Sequence, residues 1–282
     1  MERFCVVVCG VALVSGLVAS SARADLPRLL IVHTDGGVSG TVAPGRFDPN
    51  GNRFSTVQTH DVVAEGVPEL DYLTDFDSVL AYTSQPITND TAAALGDVLA
   101  DYVDDGGVLT LSTYAFLGVV YGDNFGIKGE IMAPGYSPLT RNSNIVDVSG
   151  ALTAIPGAAD DPIFTGIDLP SVKYFHNNLF AAPGLDIDSG ATLLATDAPG
   201  GDHMMLAVNS DRNVVSANLY PGDKYSPLGV PYNNDELYKL LTNTLDPGLR
   251  VIPSPSALVL GAIGVALVGW NRRRGIDMAQ PG

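Results

Sequence analysis

The sequence predicts an α/β domain: a mostly parallel sheet with helices on both faces and an antiparallel edge. Three observations carry that expectation. Leu29-Leu30-Ile31-Val32 is a continuous apolar run, the mark of a strand buried on both faces. The runs Ser78 to Tyr82 and Val108 to Leu111 flank one clear helical pattern, so strand, helix and strand follow in the order of a right-handed crossover between parallel strands. Met204 to Asn209 and Asn213 to Asn218 are short apolar runs on either side of Ser210-Asp211-Arg212, the pattern of a hairpin.

Along the chain, residues 1–24 read as a secretory signal. Arg3 is the positive side chain of a short leading region, Cys5 to Val18 is apolar apart from Ser15, and Ala22-Arg23-Ala24 is the small-x-small pattern that a signal peptidase cleaves. The expected mature start is Asp25. Both cysteines, Cys5 and Cys9, fall inside this segment, so the mature chain has no disulfide, no thiolate nucleophile and no thiolate metal site.

From Asp25 to Arg250 no long linker or repeat interrupts the chain, and one domain is expected there. The first apolar run ends in His33-Thr34-Asp35-Gly36-Gly37, a polar turn at a strand's carboxyl end. The helix is expected to start with Asn89 or Asp90 as N-cap, to bury Ala93, Leu95, Val98, Leu99, Tyr102 and Val103, and to stop at Gly106-Gly107. Ala191 to Thr196 is a further strand, Ile163-Phe164 starts another, and Asn234 to Thr244 closes the domain as a helix.

Composition excludes other classes. Apolar residues make up 46% of the 282, enough for a core and too many for a disordered chain. The net charge is −16, from 31 acidic and 15 basic residues, which argues against nucleic acid as a partner because that affinity comes from clustered Lys and Arg. Between Asp25 and Arg250 the balance is 10 basic against 29 acidic residues, a net −19.

Residues 251–274 form a tripartite tail: the spacer Ile252-Pro253-Ser254-Pro255-Ser256, the apolar run Ala257 to Trp270, and Asn271-Arg272-Arg273-Arg274. Fourteen helical residues reach about 21 Å, short of the ~30 Å hydrocarbon core, so such a helix spans a bilayer only where the bilayer thins. The arginines would stay on the cytoplasmic side. This order resembles the PEP-CTERM sorting signal, with Ser254 where that family usually has Glu. The resemblance implies transient anchoring in the inner membrane, cleavage by an exosortase-type membrane protease, and release to the cell surface or extracellular matrix, often beside exopolysaccharide. The other reading is a plain, retained C-terminal anchor. Residues 275–282 add a short tail.

The body has a resemblance of its own. Phe76 to Tyr82, the Asn89 to Tyr102 helix, Gly106-Gly107-Val108-Leu109 and Val214 to Leu219 together resemble the class I glutamine amidotransferase-like superfamily, which implies a flavodoxin-like fold. Active members carry Gly-x-Cys-x-Gly after the strand that follows the helix, and His-x-Glu after the last strand. Here the Cys position falls near Ser112, between Thr110 and Tyr114, and the second stretch is Leu219-Tyr220-Pro221-Gly222-Asp223. Nucleophile and base are both replaced, so the inherited chemistry is expected to be absent and no cofactor is implied.

A serine-based substitute is the rival: a secreted hydrolase acting on an ester or acylated glycan, with Ser112 as nucleophile, His33 or His203 as base and Asp35 as its orienter. No Gly-x-Ser-x-Gly occurs. No metal site is expected. Asp48-Pro49-Asn50-Gly51-Asn52 is ordinary turn chemistry, His60-Asp61 and Asp202-His203 lack zinc-site spacing, and Asp160-Asp161 reads as a solvated acidic loop. Three aromatic clusters, with Tyr114, Phe116 and Tyr121 in the first, Tyr174, His176 and Asn177 in the second and Tyr220, Tyr225 and Tyr232 in the third, suit either plain core and lid packing or stacking against sugar rings. The expected role is therefore non-catalytic, binding or structural, in the cell envelope or matrix.

Overall fold

The computed structural model of the 282-residue chain describes residues 26–36, 44–120, 123–139, 146–148, 151–172, 179–181, 185–198, 203–221 and 235–250. The elements are β1 (Arg28–His33), β2 (Thr56–Asp61), α1 (Val62–Glu65), α2 (Leu70–Leu73), β3 (Ser78–Ala81), α3 (Asn89–Asp104) and β4 (Val108–Ser112). There follow β5 (Val119–Val120), β6 (Asp123–Asn124), β7 (Val146–Val148), β8 (Thr153–Ala154), β9 (Leu179–Ala181), β10 (Thr192–Thr196), β11 (Met204–Val208), β12 (Val214–Ala217), α4 (Asp235–Thr244) and α5 (Pro247–Arg250).

Eight strands make one sheet in the order β2-β1-β3-β4-β12-β11-β10-β8. Strands β2, β1, β3, β4 and β12 run parallel, and β11, β10 and β8 complete an antiparallel edge. Two cores lie on its two faces because side chains alternate along each strand. Leu30, Val32, Val79 and Leu109 pack with Leu95 and Leu99 of α3, whereas Leu29, Ile31, Leu80 and Val215 pack with Leu237, Leu240 and Leu241 of α4. The fold is thus a flavodoxin-like α/β sheet with helices on both faces and an antiparallel edge.

The hairpin of β11 and β12 and the β3-α3-β4 crossover stand where the apolar runs put them. Gly106 has φ +95° and closes α3, as only a residue without Cβ does cheaply. Three expectations are corrected. The N-cap of α3 is Thr88, the last extended residue, whose hydroxyl accepts the Thr91 N–H at 3.1 Å; Asn89 and Asp90 are already helical. Ile163-Phe164 starts no strand: behind Pro162 they form a buried 3-10 turn. Asp161 is not solvated, since each of its carboxylate oxygens accepts from the Arg212 guanidinium at 2.9 Å and one of them caps that turn through the Ile163 N–H at 3.0 Å.

Strand β2 carries no apolar run and escaped the sequence pattern. It is an edge strand in which only His60 is buried, so nothing in it needs to be hydrophobic. Gly96 marks the closest approach on the α3 face. A Cβ there would lie 1.5 Å from the Lys128 carbonyl oxygen, so the chain around Lys128 can dock on the helix only over glycine.

Candidate functional site

Strand β1 continues to β2 on one side, and β3 crosses through α3 to β4 on the other. The order therefore reverses between β1 and β3, and the carboxyl ends there form the crevice where open α/β sheets bind ligands. His33, Thr34 and Asp35 leave β1 at this point, Tyr82 and Ser84 leave β3, Ser112 to Tyr114 leave β4, and Asn218 to Tyr220 leave β12.

Asp35 is the hub. Its carboxylate is buried and accepts from the Tyr82 hydroxyl at 2.6 Å and from the Ser84 hydroxyl. His33 Nδ1 lies 3.3 Å from the Asp35 backbone nitrogen and 3.5 Å from Asp35 Oδ2. The imidazole, 4% exposed, stacks on Tyr82 with ring centres 5.9 Å apart. The Thr34 hydroxyl ties the two strand ends together, donating to the Gln85 carbonyl at 3.0 Å and accepting the Ser84 and Gln85 N–H groups.

Tyr220 closes the next layer, edge-on to Tyr82 at 5.9 Å and to Tyr114 at 5.4 Å. Burial first, then the negative charge of Asp35 and the nearby Tyr114, push its phenol far above the ordinary value, so it stays neutral.

The structure brings His33 and Asp35 together and leaves Ser112 apart. Ser112 is fully buried, and its hydroxyl donates to the Leu219 carbonyl of the chain leaving β12. Strand β3 lies between β1 and β4, so His33 and Ser112 stand on strands whose backbones are about 10 Å apart. His203 serves no better: its Nδ1 pairs with Asp197 Oδ2 at 2.8 Å, and β12 separates its strand from that of Ser112. Among the described residues no hydrogen bond joins Ser112 to His33 or His203. Thr113 and Asn218 lock this corner further, side chain to side chain at 3.0 Å.

Of the aromatic positions, Phe116 is a core residue, fully buried with Leu117, Ile127 and Ile131 rather than presented to a ligand. Tyr114 is half-buried against Tyr220 and Phe125. Tyr121, Tyr174, His176, Asn177, Tyr225 and Tyr232 lie outside the described residues, as do Ala22, Ala24, Pro253, Ser254, Pro255, Arg272, Arg273 and Arg274.

Among the described residues no group of three or more His, Cys, Asp or Glu side chains could hold a metal ion. Asp48, the head of the Asp48–Asn52 turn, spends its carboxylate on the backbone N–H groups of Asn52, Arg53 and Phe54 at 2.9–3.1 Å. His60 bonds the Gly66 carbonyl at 2.8 Å, and Asp61 caps α1. Among the described residues no helix is long and apolar enough to cross a membrane; the apolar run Ala257 to Trp270 lies outside them.

No family model matches the chain, and no curated protein matches it. Among solved structures it is similar to that of a protein from Thermoplasma acidophilum named for one chain of a GMP synthase, with a TM-score of 0.39 and 11% identity over 79% of this chain and 94% of that one. The fold described above rests on strand order and register in this chain.

Proposed function

We propose that the chain is an exported, surface-sorted domain with a binding or structural role in the cell envelope or extracellular matrix, built on an amidotransferase-like scaffold without that scaffold's chemistry. One observation carries the non-catalytic part. Ser112, at the nucleophile's place, is sealed in the interior with its hydroxyl given to Leu219, while Tyr220 and Pro221 follow where a base would stand. A serine in that state meets no substrate.

Export rests on the two ends of the sequence. The signal-like residues 1–24 and the spacer, apolar run and arginine cluster of residues 251–274 support passage through signal peptidase and then an exosortase-type protease, with exopolysaccharide as a neighbour at the destination. Intact mass and terminal peptides of the protein from native cells and medium test this. A species from Asp25 to the Pro253–Ser256 spacer is expected. A membrane-bound species that keeps Ala257 to Arg274 would reduce the tail to an anchor and remove the matrix role. Covalent labelling by a fluorophosphonate that disappears in Ser112→Ala would restore the hydrolase instead.

A further inference from the structure

A second concavity lies away from the sheet's carboxyl edge, between the Pro44–Asn52 segment and α4. It is a cleft of about 470 Å³ with a mostly apolar wall that includes Phe47 and Pro49. Its polar lining is unlike the rest of the body. Arg46, Arg53 and Lys239 all face it, three of only ten basic residues in a stretch that carries 29 acidic ones.

The three cations are held in place. Arg46 lies over the Tyr238 ring at 4.3 Å and pairs with Asp235 at 3.0 Å. Arg53 uses one nitrogen, Nη2, to reach both Asn243 and Asp246 at 3.1 Å. Lys239 bonds Glu236 at 2.6 Å. That bond, seconded by the Asp168 N–H, holds the Glu236 carboxyl below the ordinary value despite its partial burial.

Fixing is not exhaustion. Arg53 Nε and Nη1 make no hydrogen bond among the described residues, and the ammonium of Lys239, 56% exposed, has two further N–H groups. The side-chain amides of Asn50 and Asn52, also in the lining, likewise bond to no described group. Each cation already has one carboxylate partner, Asp235 for Arg46, Asp246 for Arg53 and Glu236 for Lys239, so a ligand would use only their remaining N–H groups. Asp48 is closed by three backbone N–H groups, and Asp235 is 93% exposed, where an ion pair is weak. The charge of the whole body matters less than these neighbours, because salt screens charges more than about 8 Å away.

We infer that this cleft binds a carboxylate-bearing sugar: the carboxylate on Arg53 and Lys239, hydroxyls on Asn50 and Asn52, and the apolar ring face against Pro49. Guanidinium and carboxylate match in shape and charge, and amides both donate to and accept from hydroxyls. A cleft of this volume admits one or two sugar rings. The inference stands independently of export, since it concerns the folded body alone.

Calorimetric titration of the full-length chain in mild detergent with trigalacturonate tests it, with maltotriose and propionate as controls. Saturable binding is expected for trigalacturonate and none for neutral maltotriose. Lys239→Met, at an exposed position, should weaken the affinity about tenfold, the value of one charge-assisted bond. Asn52→Ala should weaken trigalacturonate and leave propionate unchanged. No saturation by about 10 mM, equal binding of maltotriose, or unaltered affinity in a Lys239→Met protein with native circular dichroism would each overturn the proposal. Propionate binding as tightly as the sugar acid would overturn its sugar part. None of these outcomes bears on where the protein is sorted.

Discussion

The sheet's carboxyl edge and the cleft beside α4 both gather polar groups, and they do so in opposite ways. At the edge most polar groups face another of their own chain: Asp35 takes Tyr82 and Ser84, Thr34 stitches β1 to β3, and Ser112 is bound to Leu219, while the buried Thr83 hydroxyl bonds to no described group. In the cleft, Arg53 and Lys239 keep N–H groups unspent, and two amides bond to nothing described. A buried polar group that is satisfied internally adds rigidity and specificity to a core; one left unspent at a concave surface is available to a ligand. The edge, where open α/β sheets carry their chemistry, spends most of its polar groups on its own strands. The cleft keeps more of its donors unspent.

Removing the hub of the edge should have the largest effect. Asp35→Ala leaves the Tyr82 hydroxyl without its acceptor in a buried site, frees Ser84, and should cost about 3 kcal/mol in urea unfolding. Tyr82→Phe, which removes one donor and keeps the ring, should cost about half of that. An Asp35→Ala protein as stable as the native one would mean the cluster is a site held open at no structural cost, and the contrast between the regions would fail.

Asp48 lines the cleft yet behaves like the edge, because its carboxylate is fully spent. Asp48→Ala should cost about 2 kcal/mol. Burial pushes its carboxyl up, but the N–H groups of Phe54, Asn52, Arg53 and Gly51 outweigh that and hold it below the ordinary value of 3.8. A depressed carboxyl stabilises fully above that ordinary value and ceases to as pH falls through its folded value. The gap between native and Asp48→Ala proteins should therefore be constant near neutrality and close below about pH 4. A gap that persists in acid would assign the loss to packing rather than to the carboxylate.

Much of the edge was legible in the sequence, and of the cleft only its two walls, the Asp48–Asn52 turn and the closing helix. Apolar runs at Leu29, Val79 and Val108 place β1, β3 and β4, and the turn after β1 puts His33 and Asp35 at the crevice. What the sequence could not show is direction: Ser112 ends a buried strand as a nucleophile would, and only the register with β12 turns its hydroxyl to Leu219. Phe116 reads as a loop aromatic because the turn after β4 carries no periodicity, yet it fills the core above α3. Arg46, Arg53 and Lys239 meet across more than 180 residues through the docking of α4, visible in the Thr242 hydroxyl on the Phe47 carbonyl. No spacing rule reaches that far. A useful signal lay in composition: where cations are scarce, those that survive merit a map.

Ser112→Ala is expected to matter less than either carboxylate. The variant loses one neutral bond and leaves the Leu219 carbonyl, which also accepts the Thr113 N–H at 3.2 Å, with a partner. About 1 kcal/mol is the expected cost, read as a small shift in the urea midpoint with an unchanged slope.

Lys239→Met should change stability least, by no more than about 0.5 kcal/mol, since the pair it forms with Glu236 is exposed and Glu236 keeps the Asp168 N–H. Its value lies in the dissociation it produces: about tenfold weaker binding of trigalacturonate with an unfolding curve that overlays the native one. Asp35→Ala should give the reverse, a large loss of stability with the affinity of the folded fraction intact, because no bond of the Asp35 cluster reaches the cleft lining. If both variants lost stability and affinity together, edge and cleft would be one cooperative unit, and the division between architecture and binding drawn from their hydrogen bonds would not hold.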